Sequence, residues 1–172
     1  MRKINDFENV KENSGDFEKP AAGAYIGVIL GATDVPEKEY IKLDLDIAEG
    51  DFANYSMETM ERAGFCPLHA IRSYKDKALG FFKAFTNAVE ACNSGYKWDW
   101  NEEALEGKKI CFVLGEEEYQ KQDGTVGDRY TIDKFLSVED LKAGKFKVPP
   151  KKKLAVAVPV ATNDDDDDLP WA

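Results

Sequence analysis

The chain has a single histidine in 172 residues, so any Ser-His-Asp or Cys-His site would depend on His69 alone. Its three cysteines, Cys66, Cys92 and Cys111, are odd in number and widely spaced. That excludes a disulfide framework and predicts free thiols in a reducing cytoplasm. No apolar run approaches the length of a membrane span. The start, Met1-Arg2-Lys3-Ile4-Asn5-Asp6, has neither the apolar stretch nor the small-residue cleavage site of a secretory signal. A glycine-rich phosphate-binding loop and internal repeats are also missing. Basic charge is scarce, with 23 Lys and Arg against 33 Asp and Glu, a net charge of −10.

What is present, 43% hydrophobic and 33% charged residues, suits one domain with polar ends. Residues 1–19 read as a polar arm, residues 20–150 as the folded domain, and residues 151–172 as a linker and acidic tail. Pro149-Pro150-Lys151-Lys152-Lys153 opens the linker, and the small residues and proline of the apolar stretch that follows argue against a core strand.

Strands come first in the domain. Ala24-Tyr25-Ile26-Gly27-Val28-Ile29-Leu30 is a short apolar run, with Gly27 marking a bulge or a close backbone approach. After turn residues at Asp34-Val35-Pro36-Glu37, residues 40–47 alternate cleanly. Ile41, Leu43, Leu45 and Ile47 are expected to face a core, and Tyr40, Lys42, Asp44 and Asp46 to face outward. Phe52-Ala53-Asn54-Tyr55-Ser56 reads as a third strand. Apolar residues at Ala78, Leu79, Phe82, Phe85, Val89 and Cys92 then predict a helix from about residue 73 to 92, with Ser73 as N-cap. One further helical turn is expected at 101–105. Lys109-Ile110-Cys111-Phe112-Val113-Leu114 and Arg129-Tyr130-Thr131-Ile132-Asp133-Lys134-Phe135-Leu136 pair across an Asp123-Gly124 turn, and a capped helical turn follows at Ser137.

Three strands, a helix and a two-stranded hairpin fit an α+β, mainly β chain with one main helix. The expected fold is the OB-fold, a five-stranded Greek-key barrel with its helix between strands 3 and 4. The end of the chain adds a second signal. Five consecutive aspartates, Asp164, Asp165, Asp166, Asp167 and Asp168, repel one another and predict a disordered tail. Leu169, Pro170 and Trp171 then supply an apolar hook, and tryptophan is typical of binding hot spots. This tip resembles that of bacterial and phage single-stranded DNA-binding proteins, with Trp171 where the family usually has phenylalanine and Ala172 beyond it. With the element order, the chain resembles a phage-type single-stranded DNA-binding protein. The resemblance implies binding and protection of single-stranded DNA during phage or plasmid replication and recombination, with repair and replication proteins recruited by residues 164–171. It implies no catalysis, cofactor, metal or membrane, and leaves a homo-oligomer open.

Half the net charge sits in the tail aspartates, leaving −5 for the remainder, so a DNA-binding surface must be a local basic strip. Stacking of bases on aromatic rings, with cations along the phosphates, points to Tyr40 and Lys42 on strand 2 and Tyr55 on strand 3. Arg62, Phe65, Arg72, Tyr74, Lys75 and Lys77 form the richest basic-aromatic stretch, and Lys121, Arg129 and Tyr130 flank the last hairpin. The competing account is core packing for each ring and a solvated surface for each cation. Trp98 and Trp100 suit either a barrel end or DNA contact.

Other chemistry is thin. Cys66-Pro67-Leu68-His69 has the spacing of a zinc half-site, but Cys92 and Cys111 lack ligand spacing. Two rival functions remain. One is an acidic DNA-mimic or inhibitor protein that binds a DNA-handling enzyme. The other is a metal-dependent enzyme using Glu116, Glu118 or His69.

Overall fold

The computed structural model describes residues 1–9 and 18–154. The acidic tip, residues 164–171, lies outside them. Five antiparallel strands form one sheet in the order β3-β2-β1-β4-β5. They are β1 (Gly23–Val35), β2 (Tyr40–Ile47), β3 (His69–Ser73), β4 (Lys109–Gln120) and β5 (Val126–Leu136), with α1 (Tyr55–Ala63), α2 (Leu79–Cys92) and α3 (Val138–Lys142).

The long strand β1 organises the sheet. Its first half pairs with β4 and its second half with β2, and the two ladders overlap at Gly27 and Val28. Gly27 is needed there for space. A Cβ on it would collide with the Phe112 ring and stand 2.6 Å from the Asp46 carbonyl oxygen. The close approach expected at Gly27 is therefore present, whereas the register shift falls between Ile29 and Gly31.

The alternation of β2 places Ile41, Leu43, Leu45 and Ile47 in the core. They meet Phe82, Phe85 and Val89 of α2 and Ile110, Phe112 and Leu114 of β4. Each fully buried aliphatic or phenylalanine side chain contributes about 1.5–3 kcal/mol relative to exposure. The intervening β4 residues Cys111 and Val113 point to the opposite face, where Leu136, Val138, Leu141 and Phe146 cover them. At this end the sheet is covered on both sides by α2 and α3.

Several expectations require correction. The sheet is open. β3 and β5 are its edges and no hydrogen-bonded ladder joins them, although Arg72 of β3 lies 4.6 Å from the centre of the Phe135 ring of β5. A closed Greek-key OB-fold barrel is therefore not what this chain forms, and the resemblance to phage-type single-stranded DNA-binding proteins loses its fold support. The expected helix between strands 3 and 4 is present as α2, but the described residues hold three α-helices where one main helix was expected.

The strand expected at 52–56 is the lead-in to α1, and the third strand lies later, at His69–Ser73. Asp46 decides this. Instead of facing solvent it is buried, and its carboxylate accepts hydrogen bonds from the backbone N–H groups of Ile47 (2.8 Å), Ser56 (2.8 Å) and Met57 (3.2 Å). It thereby satisfies donors at the start of α1 that no intrahelical carbonyl can reach. Ser73 ends β3 rather than capping the helix, and its hydroxyl donates to the Glu39 carbonyl at 3.1 Å. Beyond Pro149 the chain runs along β4, where Lys152 exchanges backbone hydrogen bonds with Glu116 (3.0 Å) and Glu118 (2.8 Å).

Candidate nucleic-acid interface and aromatic pocket

On the solvent side of β2 and β3 the register pairs Tyr40 with Ser73, Lys42 with Ile71 and Asp44 with His69. Residues directly opposite one another in an antiparallel pair share a face, so these six form one strip, with Thr33 and Val35 of β1 beside Lys42 and Tyr40. Ile71 is 50% exposed, an apolar side chain in the middle of an open face. Lys42 stands 3.9 Å from Asp44 in a solvent-facing pair, which is weak and leaves the ammonium available. Lys75 and Lys77 continue the cationic edge on the segment from β3 to α2, and Phe65, 58% exposed, precedes β3.

The structure disperses the remaining expected residues. Tyr55 and Tyr130 meet edge to face at 6.1 Å, and Tyr130 donates to the Pro20 carbonyl at 2.6 Å. Burial, with Tyr55 and the Glu116 charge beside it, pushes the Tyr130 phenol upward. These rings are packing elements. Arg72 lies on the core-facing row of β3, and burial lowers its pKa. Its planar group spans the gap to β5 over Phe135. Arg129 is ion-paired with Glu117 and lies over the Tyr119 ring, Lys121 is exposed at the hairpin tip, and Arg62 is exposed near the end of α1.

A second feature is an aromatic cavity that no local sequence pattern announces as a whole. At the end of the sheet where β1 turns into β2, a cavity of about 250 Å³ is lined by Asp34, Ile41, Tyr74, Phe82, Trp98, Trp100 and Glu102. Its rings contact one another. Phe82 lies 6.0 Å from Tyr74, 5.9 Å from Trp98 and 5.9 Å from Trp100, the last nearly parallel at 11°. Tyr74 donates to Asp34 at 2.8 Å. Burial and that hydrogen bond, with the charges of Asp34, Glu39 and Glu37, push the Tyr74 phenol up to about 12.

Trp100 is 69% exposed and has φ +53°, in the left-handed region that bulky residues avoid. Such a backbone costs on the order of 1–3 kcal/mol and tends to mark functional sites. The Trp98-Asp99-Trp100 doublet in a polar stretch was the sequence signal for this cavity. Its other walls come from β1, β2, the end of β3 and α2, which only the fold brings together.

The metal candidates do not converge. Cys66 donates its thiol to the Leu68 carbonyl at 3.3 Å, and His69 Nδ1 lies 3.3 Å from the Cys66 carbonyl oxygen. Cys92 and Cys111 face each other elsewhere. Their mutual hydrogen bond, then burial, raises the Cys111 thiol. Among the described residues no group of three or more His, Cys, Asp or Glu side chains could hold a metal ion. Glu118 accepts from the Leu154 N–H at 3.2 Å, and Glu117 holds Arg129. No helix among the described residues is long and apolar enough to cross a membrane. No family model matches this chain, and no curated protein matches it either.

Proposed function

We propose that this protein binds single-stranded DNA across the open solvent face of β2 and β3 and recruits replication or recombination proteins through its acidic C-terminal tip. The observation that carries this reading is the strip Tyr40, Lys42 and Ile71, an aromatic ring, a cation and an exposed apolar side chain on one uncovered sheet face. Unstacked bases can lie on Tyr40 and Ile71, with phosphates toward Lys42, Lys75 and Lys77. A stacked base contributes about 1–3 kcal/mol irrespective of sequence, and each neutralised phosphate adds a salt-dependent increment. The tip, Asp164 to Trp171, supplies a tethered polyanion with an apolar end, suited to a basic, pocketed surface on a partner.

Two substitutions test the face. Tyr40→Ala is expected to weaken binding of a short oligothymidylate by about 1–3 kcal/mol at all salt concentrations. Lys42→Glu is expected to weaken it mainly at low salt and to reduce the salt slope by about one. Unchanged affinity in both variants, with circular dichroism confirming the fold, removes this face from the account.

The pairing of cations within the molecule favours a second reading, a DNA mimic that binds a DNA-handling enzyme. Arg129 is held by Glu117, and Lys151 by Asp128 at 2.8 Å. That reading expects no affinity for DNA and tight binding to such an enzyme.

A further inference from the structure

We propose that the cavity between the β1–β2 turn, the end of β3 and α2 is a binding pocket for an arginine side chain presented by a basic segment of a partner protein. The walls carry the argument. Four aromatic residues, Tyr74, Phe82, Trp98 and Trp100, and two carboxylates, Asp34 and Glu102, line the cavity, and among the described residues no cation does. Ring faces attract a cation through their quadrupoles, and the carboxylates at the cavity's edge, Asp34 exposed and Glu102 half-buried, favour a ligand of that same positive sign.

The charged groups that line the cavity are both carboxylates, Asp34 and Glu102. Glu37 and Glu39 act on the Tyr74 phenol together with Asp34, so a phosphate-bearing ligand meets repulsion. A purely apolar ligand would leave the carboxylates Asp34 and Glu102 without a partner of opposite charge. A guanidinium meets both demands. It is planar and stacks on an indole, and its fork of N–H donors matches a carboxylate. Trp100 is the exposed wall, with its ring alongside Phe82 and Trp98 and 69% of the residue open to solvent. About 250 Å³ accommodates the end of one such side chain and no folded segment, so the rest of the partner would lie outside. The pocket opens on the Ile41 side of β2, opposite the Tyr40–Lys42 strip, and its assignment does not depend on DNA binding there.

The test uses the full chain labelled with 15N and follows the indole N–H signals of Trp98 and Trp100. N-acetyl-arginine amide is titrated against its neutral isostere N-acetyl-citrulline amide, against spermidine and against guanosine. Saturable shifts of both signals with the arginine compound and not with citrulline are expected. Glu102→Gln, and Trp100→Ala read at Trp98, should weaken that binding about five- to tenfold with the rest of the spectrum unchanged. Several results would overturn the assignment. Absence of shifts with the arginine compound, or equal shifts with citrulline, would remove the charge-based recognition. Stronger shifts with spermidine would make the pocket a site for a free polyamine, and shifts with guanosine alone would make it a base pocket.

Discussion

At Tyr74 burial, then a hydrogen bond to Asp34 and the charges of Asp34, Glu39 and Glu37, make ionisation of the phenol unfavourable in the folded state. The folded value, about 12, lies above the ordinary tyrosine value of 10.0. A raised phenol stabilises the fold fully below the unfolded value and loses that contribution as pH climbs through the folded one. Stability attributable to Tyr74 is therefore present at neutral pH and declines between about pH 10 and 12. Phenolate absorbance should show a late-titrating tyrosine in the wild-type protein that moves earlier in Asp34→Asn. An unchanged titration curve would mean that Asp34 does not govern the ring. Residues also set the limits of sequence reading. Tyr40 and Lys42 were readable because strict alternation assigns faces. Tyr55, Arg72 and Tyr130 were not, because a ring or a guanidinium serves packing and nucleic-acid contact equally well, and only tertiary neighbours decide.

Among the elements, β2 was legible in its bounds and in its core row Ile41, Leu43, Leu45 and Ile47, and the outward row departs from expectation only at the buried Asp46. The segment after it was misread for a physical reason. Phe52-Ala53-Asn54-Tyr55-Ser56 is a short apolar-rich run without a decisive period, and Asp46, ten residues before Ser56, supplies the hydrogen-bond acceptors that start α1 there. No local pattern announces a cap that arrives from a neighbouring strand. Asp46→Ala should leave three backbone donors short of a partner and cost about 2 kcal/mol. Chemical denaturation would register that loss, and faster amide exchange should be confined to α1 and the end of β2. A uniform rise in exchange across the sheet would argue that Asp46 supports the whole fold rather than the helix. The β4–β5 hairpin was legible through its Asp123-Gly124 turn, whereas the lie of Lys152 along β4 depends on an edge that the sequence does not reveal.

For the molecule as a whole, strand order could not be read from element order. Three strands, a helix and a hairpin fit a closed barrel, and closure depends on whether β3 and β5 share backbone hydrogen bonds. Arg72 fills that gap with a side chain instead. What remains is an open sheet covered on both sides at its β4–β5 end and bare on one face at its β2–β3 end. An acidic molecule can bind a polyanion only through such a local surface, and the attraction must weaken with salt.

The account stands or falls on one titration, fluorescence anisotropy of a labelled oligothymidylate and of a duplex of equal length at two salt concentrations. The account predicts saturable binding that favours the single strand and weakens as salt rises. Absence of binding at low salt, or equal affinity for the duplex, would contradict it.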